Sequence, residues 1–331
     1  MAILFSGFGY GSSSPEKTSQ TGFYFDTLCA VTIYGKASSP DFDAVFSRTA
    51  EIEKQLNAHN KESALSMLNR RAGEGPVEVT DDLFYVIKHG IAYSQLTDGG
   101  FDITIGPVQR LWGIGGDSPA VPEPSALSAA LDSVDFRKVV LFDRDNRVLL
   151  ENTGMMIDLG GIAKGYAADE AAAVLDDRGY RHALINFGGN VVAIGNRPDG
   201  TPWRIGIQHP ELTRGDTLCV IEVVNATVVT SGKYERFFEA GGVRYHHILD
   251  TDTGYPVENG LASVTIITDS SMKADALSTA VFVLGLEAGL DLIYGFEGVE
   301  AIIVTEEKTV YLTDGIRDDF SLVDASYTVA K

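Results

Sequence analysis

Within Ser270–Gly285 (SSMKADALSTAVFVLG), the apolar run from Ala274 onward carries one carboxylate and two hydroxyls. At 100° per residue, Ala276, Leu277, Ala280, Val281, Val283 and Leu284 cover more than half of a helix circumference. Asp275 and Thr279 are four residues apart and stack on the remaining face, with Ser278 beside them. Lys273 falls on the far side and does not neutralise Asp275. A carboxylate on so apolar a helix needs a partner from elsewhere, because burying it alone is costly. A carboxylate and a hydroxyl one turn apart suit a hard cation. They equally suit a structural role, with Asp275 capping a neighbouring loop and Thr279 bonding back to its own helix.

Three further segments carry chemistry. DLGGIAKGYAAD, residues 158–169, joins an expected strand to a helix through two glycines, with Lys164 in the first turn. Free N–H groups at a helix start attract phosphate, and Lys164 adds a point charge. The segment is neither a Walker A loop nor GxGxxG, and a plain strand–helix turn fits it too. His246 and His247 are neighbours in an expected strand, so only one of them faces a given pocket. Imidazole titrates near neutrality and suits a base that takes a hydroxyl proton. TSGKY at 230–234, followed by Arg236, reads as a tight turn without the GxSxG frame, so Ser231 is not read as a nucleophile. Phe101, Asp102 and Trp112 offer an aromatic surface and one carboxylate. No HExxH motif or Cys/His zinc spacing is present.

The elements that must position these groups follow from periodicity. Phe23–Tyr34 alternates as a strand, and Phe42 to Leu56 marks a helix. Thr80 caps a second helix that ends at Gly99–Gly100. A proline-interrupted loop from Pro107 resumes as a short helix near Ser125–Leu131. Val139–Phe142 and Arg147–Glu151 read as a hairpin, and Met155–Leu159 as a strand leading into a helix over Ile162–Asp177. Strands follow at Ala183–Ile194, Trp203–Gln208, Leu218–Val224, Val228–Thr230, Tyr245–Leu249 and Ala262–Thr268. The glycine pair in INFGGN, residues 185–190, suggests a bulge or a close approach of backbone to ligand. After the Asp275 helix and a shorter one come strands Ala301–Thr305 and Thr309–Leu312. Adjoining strands with helices arriving singly or in pairs indicate an α+β fold.

The bulk properties narrow the function. The chain has 331 residues, 44% of them hydrophobic and 22% charged, as in a soluble globular protein. With 26 basic against 46 acidic side chains, the net charge is −20, which argues against an electrostatic nucleic-acid binder. A phosphate-bearing substrate then needs local help from a metal ion or backbone N–H groups. Cys29 and Cys219 fit neither a disulfide framework nor a zinc site. No apolar run spans a bilayer. Residues 1–20 read as a flexible leader or a trimmed export segment, and residues 21–331 as one domain, with two intimately packed subdomains as a variant.

Seven segments in order resemble the FAD:protein FMN transferase family, the ApbE-type flavin transferases. They are FDT at 25–27, GGFDITIGPVQRLWG at 99–113, DLGGIAKGYAAD at 158–169, INFGGN at 185–190, TSGKYERFF at 230–238, HHILDTDTG at 246–254 and ADALSTAVFVLG at 274–285. The resemblance implies an α+β fold with a T-fold-like core of mostly antiparallel sheet, packed helices and two closely associated lobes. It implies cleavage of the FAD diphosphate and attachment of FMN through a phosphoester to a threonine or serine of a partner flavoprotein, such as a redox-complex subunit. It also implies Mg²⁺, or Mn²⁺, as cofactor. Asp275 and Thr279 match the metal ligands, and Gly161 the position giving a backbone carbonyl. His247 matches the general base; Phe101, Asp102, Asp158, Lys164 and Ile248 match FAD-contacting positions.

Two matched positions depart from the pattern. Phe25 stands where methionine is common in the FAD contact, and His59 where tyrosine or asparagine is usual. The family links the latter position to whether FAD is held or hydrolysed. Such enzymes are commonly exported as lipoproteins, which implies the bacterial periplasm or the outer face of the cytoplasmic membrane. Leu4 to Gly7 would suit a lipobox, but residue 8 is Phe instead of the lipid-bearing cysteine. The alternatives are a Mg²⁺-dependent FAD pyrophosphatase giving FMN and AMP, and a non-catalytic FAD-binding protein.

Overall fold

A computed structural model describes residues 3–4 and 16–330. Among them are helices α1 (Ser39–Leu56), α2 (Ala64–Arg70), α3 (Asp81–Leu96), α4 (Gly106–Trp112), α5 (Pro124–Leu131), α6 (Ala163–Asp177), α7 (Ser271–Leu284) and α8 (Leu286–Tyr294). The main sheet has nine strands. Across the sheet they run Thr328–Val329, Thr309–Leu312, Glu300–Thr305, Leu261–Thr268, Ala226–Gly232, Asn190–Ile194, Ala183–Phe187, Thr27–Tyr34 and Lys17–Tyr24. Every neighbouring pair is antiparallel except the first, which is parallel. The fold is therefore α+β on a mostly antiparallel sheet, as expected.

Strand alternation divides the interior in two. Along Asn190–Ile194, Val191 and Ala193 join a core shared with Trp203, Ile205 and Ile221 of a four-stranded sheet, while Val192 and Ile194 face the helices. Leu261–Thr268 behaves likewise: Val264 and Ile266 pack with Leu277 and Val281 of α7, and Ile267 packs on the opposite face. The sheet centre is thus buried on both sides, with α6 and α7 on the face that carries the chemistry.

Those two helices cap one another. Asp169 of α6 accepts hydrogen bonds from Ser270 Oγ and from the N–H groups of Ser271 (2.6 Å) and Met272 (2.9 Å), closing the N-terminus of α7. Asp275 of α7 in turn accepts from the N–H of Gly165 in the first turn of α6, at 2.9 Å. The crossing is close: a Cβ on Gly165 would lie 2.2 Å from the Ser271 carbonyl oxygen.

Several expectations are corrected. Phe23–Tyr34 is two strands, since Phe25 (φ 51°) and Asp26 (φ 56°) form a tight turn in the left-handed region. Neither residue is the glycine or asparagine that usually signals such a turn. Ala183–Ile194 is likewise a hairpin turned at Gly188 and Gly189, not one strand with a bulge. Met155–Leu159 forms no strand, because the Asn69 side chain takes both the N–H and the C=O of Ile157, at 2.8 Å each. The strand expected over Tyr245–Leu249 ends at His246, whose Nδ1 accepts the Ile248 N–H at 3.3 Å. Helices α2 and α4 were not anticipated. Of the expected leader, residues 1–2 and 5–15 lie outside the described residues; Ile3–Leu4 pairs with Trp203–Gln208, and Lys17–Gln20 opens the edge strand. No described helix is long and apolar enough to cross a membrane.

Candidate active site

A cavity of about 1020 Å³ opens where α6, α7, the start of α4 and the strand ends meet. His59, Phe101, Asp102, Asp158, Gly161, Lys164, His247, Ile248, Asp275 and Thr279 all line it. Phe25 does not; it lines a small adjoining pocket of about 60 Å³ that shares Asp26, His59, Asp158 and Lys164 with the large one. The volume reaches the upper end of ordinary ligand sites, which leaves room for a dinucleotide.

Asp275 sits at the centre and is only 3% exposed. Its missing partner is on α6: Lys164 Nζ lies 3.4 Å from Oδ1, alongside the Gly165 N–H on Oδ2. One turn later, Thr279 Oγ1 donates to the Asp275 carbonyl at 3.3 Å, and Ser278 Oγ to the same carbonyl at 2.9 Å. Ser231 Oγ lies 2.8 Å from Ser278 Oγ and 3.3 Å from Thr279 Oγ1, completing a row of hydroxyls. The structural reading of this pair is realised: Asp275 accepts the Gly165 N–H at the start of α6, and Thr279 bonds back to its own helix.

The start of α6 differs from expectation. Ile162 and Ala163 donate their N–H groups to the Leu159 carbonyl, and Gly165 donates to Asp275. These three N–H groups are engaged within the protein, and the Lys164 ammonium lies at the cavity wall, 3.1 Å from the Gly160 carbonyl oxygen. Gly161 packs under the Phe101 ring, and a Cβ there would come 3.5 Å from Thr279 Oγ1. Asp158 accepts the Gly160 N–H at 2.8 Å, shaping that turn. Asp102 is also a shaping residue: Thr104 N–H and hydroxyl bond Oδ1 at 2.7 Å each, and Phe136 N–H bonds Oδ2 at 3.1 Å. Burial raises the Asp102 carboxyl above its ordinary value, against the opposing effect of those bonds.

The two histidines separate as alternation requires. His246 is buried away from the cavity, between the Val257 carbonyl (3.0 Å) and the Ile248 N–H, with its ring edge-on to Phe282. His247 faces the cavity, its Nδ1 3.2 Å from the Arg236 carbonyl oxygen. A carbonyl only accepts, so Nδ1 carries the hydrogen and Nε2 presents a lone pair. Burial, then the Arg236 charge, lowers the His247 pKa to about 3, so the ring is neutral at physiological pH.

The sequence reading missed most of the cationic lining. Lys61, Arg70, Arg110 and Arg214 join Lys164 and Arg236 on the wall, six cationic side chains beside the carboxylates of Asp26, Asp102, Asp158, Glu235 and Asp275, in a chain that is strongly acidic overall. Arg110 lies on the unanticipated α4, which the Gly106-Pro107 start could have announced, proline being favoured at the first helical position. Arg236 also donates to the Phe25 carbonyl at 3.3 Å, tying the hairpin tip to the cavity. No group of three or more His, Cys, Asp or Glu side chains able to hold a metal occurs among the described residues. A metal here would therefore depend on hydroxyl, carbonyl, water and ligand oxygens beside Asp275.

The ApbE family model matches residues 25–303. A FAD:protein FMN transferase of Treponema pallidum (strain Nichols) is 36% identical over 338 residues, covering 97% of this chain and 93% of that protein. Another from Klebsiella pneumoniae (strain 342) is 37% identical, covering 86% and 88% respectively. Among solved structures, the ApbE protein of Thermotoga maritima MSB8 superposes with a TM-score of 0.83 at 33% identity, covering 91% of this chain and 98% of its own. The flavin transferase ApbE of Vibrio cholerae gives 0.79 at 28% identity, covering 95% and 98%.

Proposed function

The chain belongs to the ApbE family, and from that premise we propose that it is a FAD:protein FMN transferase using a divalent cation, Mg²⁺ or Mn²⁺. It moves the FMN half of FAD onto a threonine or serine hydroxyl of an acceptor flavoprotein and releases AMP. The observation that carries this reading is the convergence of Asp275, Thr279, Lys164 and His247 on one cavity of dinucleotide size.

Asp275, Thr279 and the Gly161 carbonyl would hold the cation. The donor set suits it: Mg²⁺ takes one or two carboxylates and completes its shell with water and phosphate oxygens, and the wall offers the Asp275 carboxylate, paired here with Lys164, beside two hydroxyl-bearing positions. When bound, the cation neutralises charge that builds on the diphosphate as it splits. Lys164 and the surrounding arginines attract and orient the phosphates. His247 Nε2 takes the proton of the acceptor hydroxyl as its oxygen bonds to the FMN-side phosphorus, and the bridging oxygen leaves with AMP. His247 is a weak base while the cavity is empty; an incoming diphosphate raises its basicity, since nearby negative charge favours imidazolium.

The test is incubation with FAD, Mg²⁺ and a candidate flavoprotein domain, followed by mass measurement of the acceptor. A gain of one FMN phosphoryl unit supports transfer. Free FMN with AMP points to a hydrolase, and intact FAD to a binder. We also place the protein outside the bacterial cytoplasm, in the periplasm or lipid-tethered to the outer face of the membrane, following the family's habit. A pool confined to the cytoplasm in fractionated cells would refute that placement.

A further inference from the structure

The Asp275 side chain is 5% exposed, and the cation that faces it is the Lys164 ammonium. Nζ lies 3.4 Å from Oδ1, 3.5 Å from Oδ2 and 3.1 Å from the Gly160 carbonyl oxygen. Oδ2 also accepts the Gly165 N–H at 2.9 Å, so Oδ1 is the oxygen left for a divalent cation, and the ammonium stands against it. Gly160 directly precedes Gly161, whose carbonyl would serve the same cation. The ammonium is therefore seated on the carboxylate that the cation reading assigns to a metal.

Two cations cannot both keep that seat. Bonds from Mg²⁺ to oxygen are about 2.1 Å, so Mg²⁺ on Oδ1 would lie within about 5.5 Å of the ammonium as it now stands. Like charges that close, beside a carboxylate shielded from water, repel strongly. The lysine is the partner able to leave. Its side chain is 22% exposed and borders the cavity, whereas Asp275 is fixed by its bond across the helix crossing. Its grip is loose, each contact being longer than the roughly 2.7–2.9 Å of a firm charge-assisted bond. A flexible four-carbon stem lets its compact charge change partners.

We propose that Lys164 is an exchangeable counter-ion: it holds Asp275 until a divalent cation takes the carboxylate, then turns its ammonium to the diphosphate of FAD. The proposal rests on the cation reading above. The exchange makes the two ligands help each other. A metal arriving alone must displace the ammonium without offering it a new partner, so it binds weakly. A diphosphate supplies that partner, and by linkage the metal strengthens diphosphate binding by the same factor. Lys164 is thus a positioning residue that keeps the carboxylate neutralised and discourages a cation from settling without substrate.

The test is Mn²⁺ binding to the full chain without FAD, followed by loss of the free-ion electron paramagnetic resonance signal. A carboxylate held by a competitor about nine-tenths of the time binds metal about tenfold too weakly. Lys164→Met should therefore bind Mn²⁺ about tenfold more tightly than wild type. Lys164→Arg keeps a cation on the carboxylate and should bind no tighter than wild type. Arg110→Met removes a wall charge directed at Met156 Sδ and should leave the affinity as it is. Unchanged or weaker Mn²⁺ binding in Lys164→Met would overturn the proposal, as would equal tightening by Arg110→Met, which would mark a general field effect. If Lys164→Met fails to fold, a crystal structure of the wild type with Mn²⁺ and FAD decides. Nζ beyond about 3.5 Å from both Asp275 oxygens is expected, and Nζ still within that distance of Oδ1 beside the metal refutes the exchange. A wild type that binds no Mn²⁺ even with FAD would bring down the cation reading itself. A wild type that binds Mn²⁺ with FAD, next to an unimproved Lys164→Met, would remove this inference alone.

Discussion

The N–H of Gly165 donates to Oδ2 of Asp275 across 2.9 Å, joining the first turn of α6 to the middle of α7. That bond uses one side of the carboxylate and leaves Oδ1 toward Lys164 and the cavity. A single side chain thus fixes the helix crossing and faces the substrate space.

The two tasks are separable by substitution. Asp275→Asn keeps an oxygen for the Gly165 N–H while giving up the Lys164 charge pair, and should be destabilised less than Asp275→Ala. Asp275→Ala removes the cap and should lose about 0.5–2 kcal/mol. Chemical denaturation of both variants checks this, and equal stabilities would mean that the bond to Gly165 contributes nothing.

Gly165→Ala tests the crossing without removing any side chain that lines the cavity. The new Cβ would meet the Ser271 carbonyl oxygen at 2.2 Å and Met272 Cα at 2.7 Å, both helix atoms that cannot swing aside. Overpacking of this kind costs about 1–3 kcal/mol. An unfolding midpoint identical to wild type would show that the helices are not held this closely.

His247→Ala should still bind FAD but transfer FMN about 10²–10⁴ times more slowly. Transfer at the wild-type rate would exclude His247 as the base. The same residue makes stability pH-dependent. Its folded pKa of about 3 lies below the ordinary 6.5, so between these values the unfolded chain takes up a proton that the folded one refuses. Its stabilisation is complete above pH 6.5 and shrinks as pH falls toward 3. The stability lost by wild type between pH 7 and pH 4 should therefore exceed that lost by His247→Asn, and parallel curves would contradict a neutral imidazole in the fold.

His59 lines both the large cavity and the small pocket that holds Phe25. His59→Tyr should change the ratio of FMN transferred to FMN released into solution. Quantifying acceptor-bound and free flavin after one turnover checks this, and an unchanged ratio would make the position irrelevant to that balance.

Much of this was legible in the chain. Helix α7 could be placed to within a residue because Ser270 caps it and its hydroxyls and carboxylate share one face. Lys164 and Asp275, 111 residues apart, could each be suspected, but their contact depends on the helix crossing that Gly165 permits. The hairpin tip at Phe25–Asp26 escaped because Asp26 alone is a turn-favouring type, while Phe25 is held in the left-handed region by the paired strands on either side. Arg110 and Arg214 escaped because an arginine reads as surface charge until tertiary structure turns it into a cavity.

The most direct test of the account is FAD turnover by the wild-type protein and Asp275→Asn as Mg²⁺ is raised from zero in the presence of chelator. The account predicts no turnover in chelator, saturable recovery in the wild type, and a rate lower by about 10²-fold or more in the variant, since a lost ligand forfeits several kcal/mol of charge stabilisation. Undiminished FAD cleavage in chelator, or a variant that matches wild type at every Mg²⁺ concentration, would contradict it.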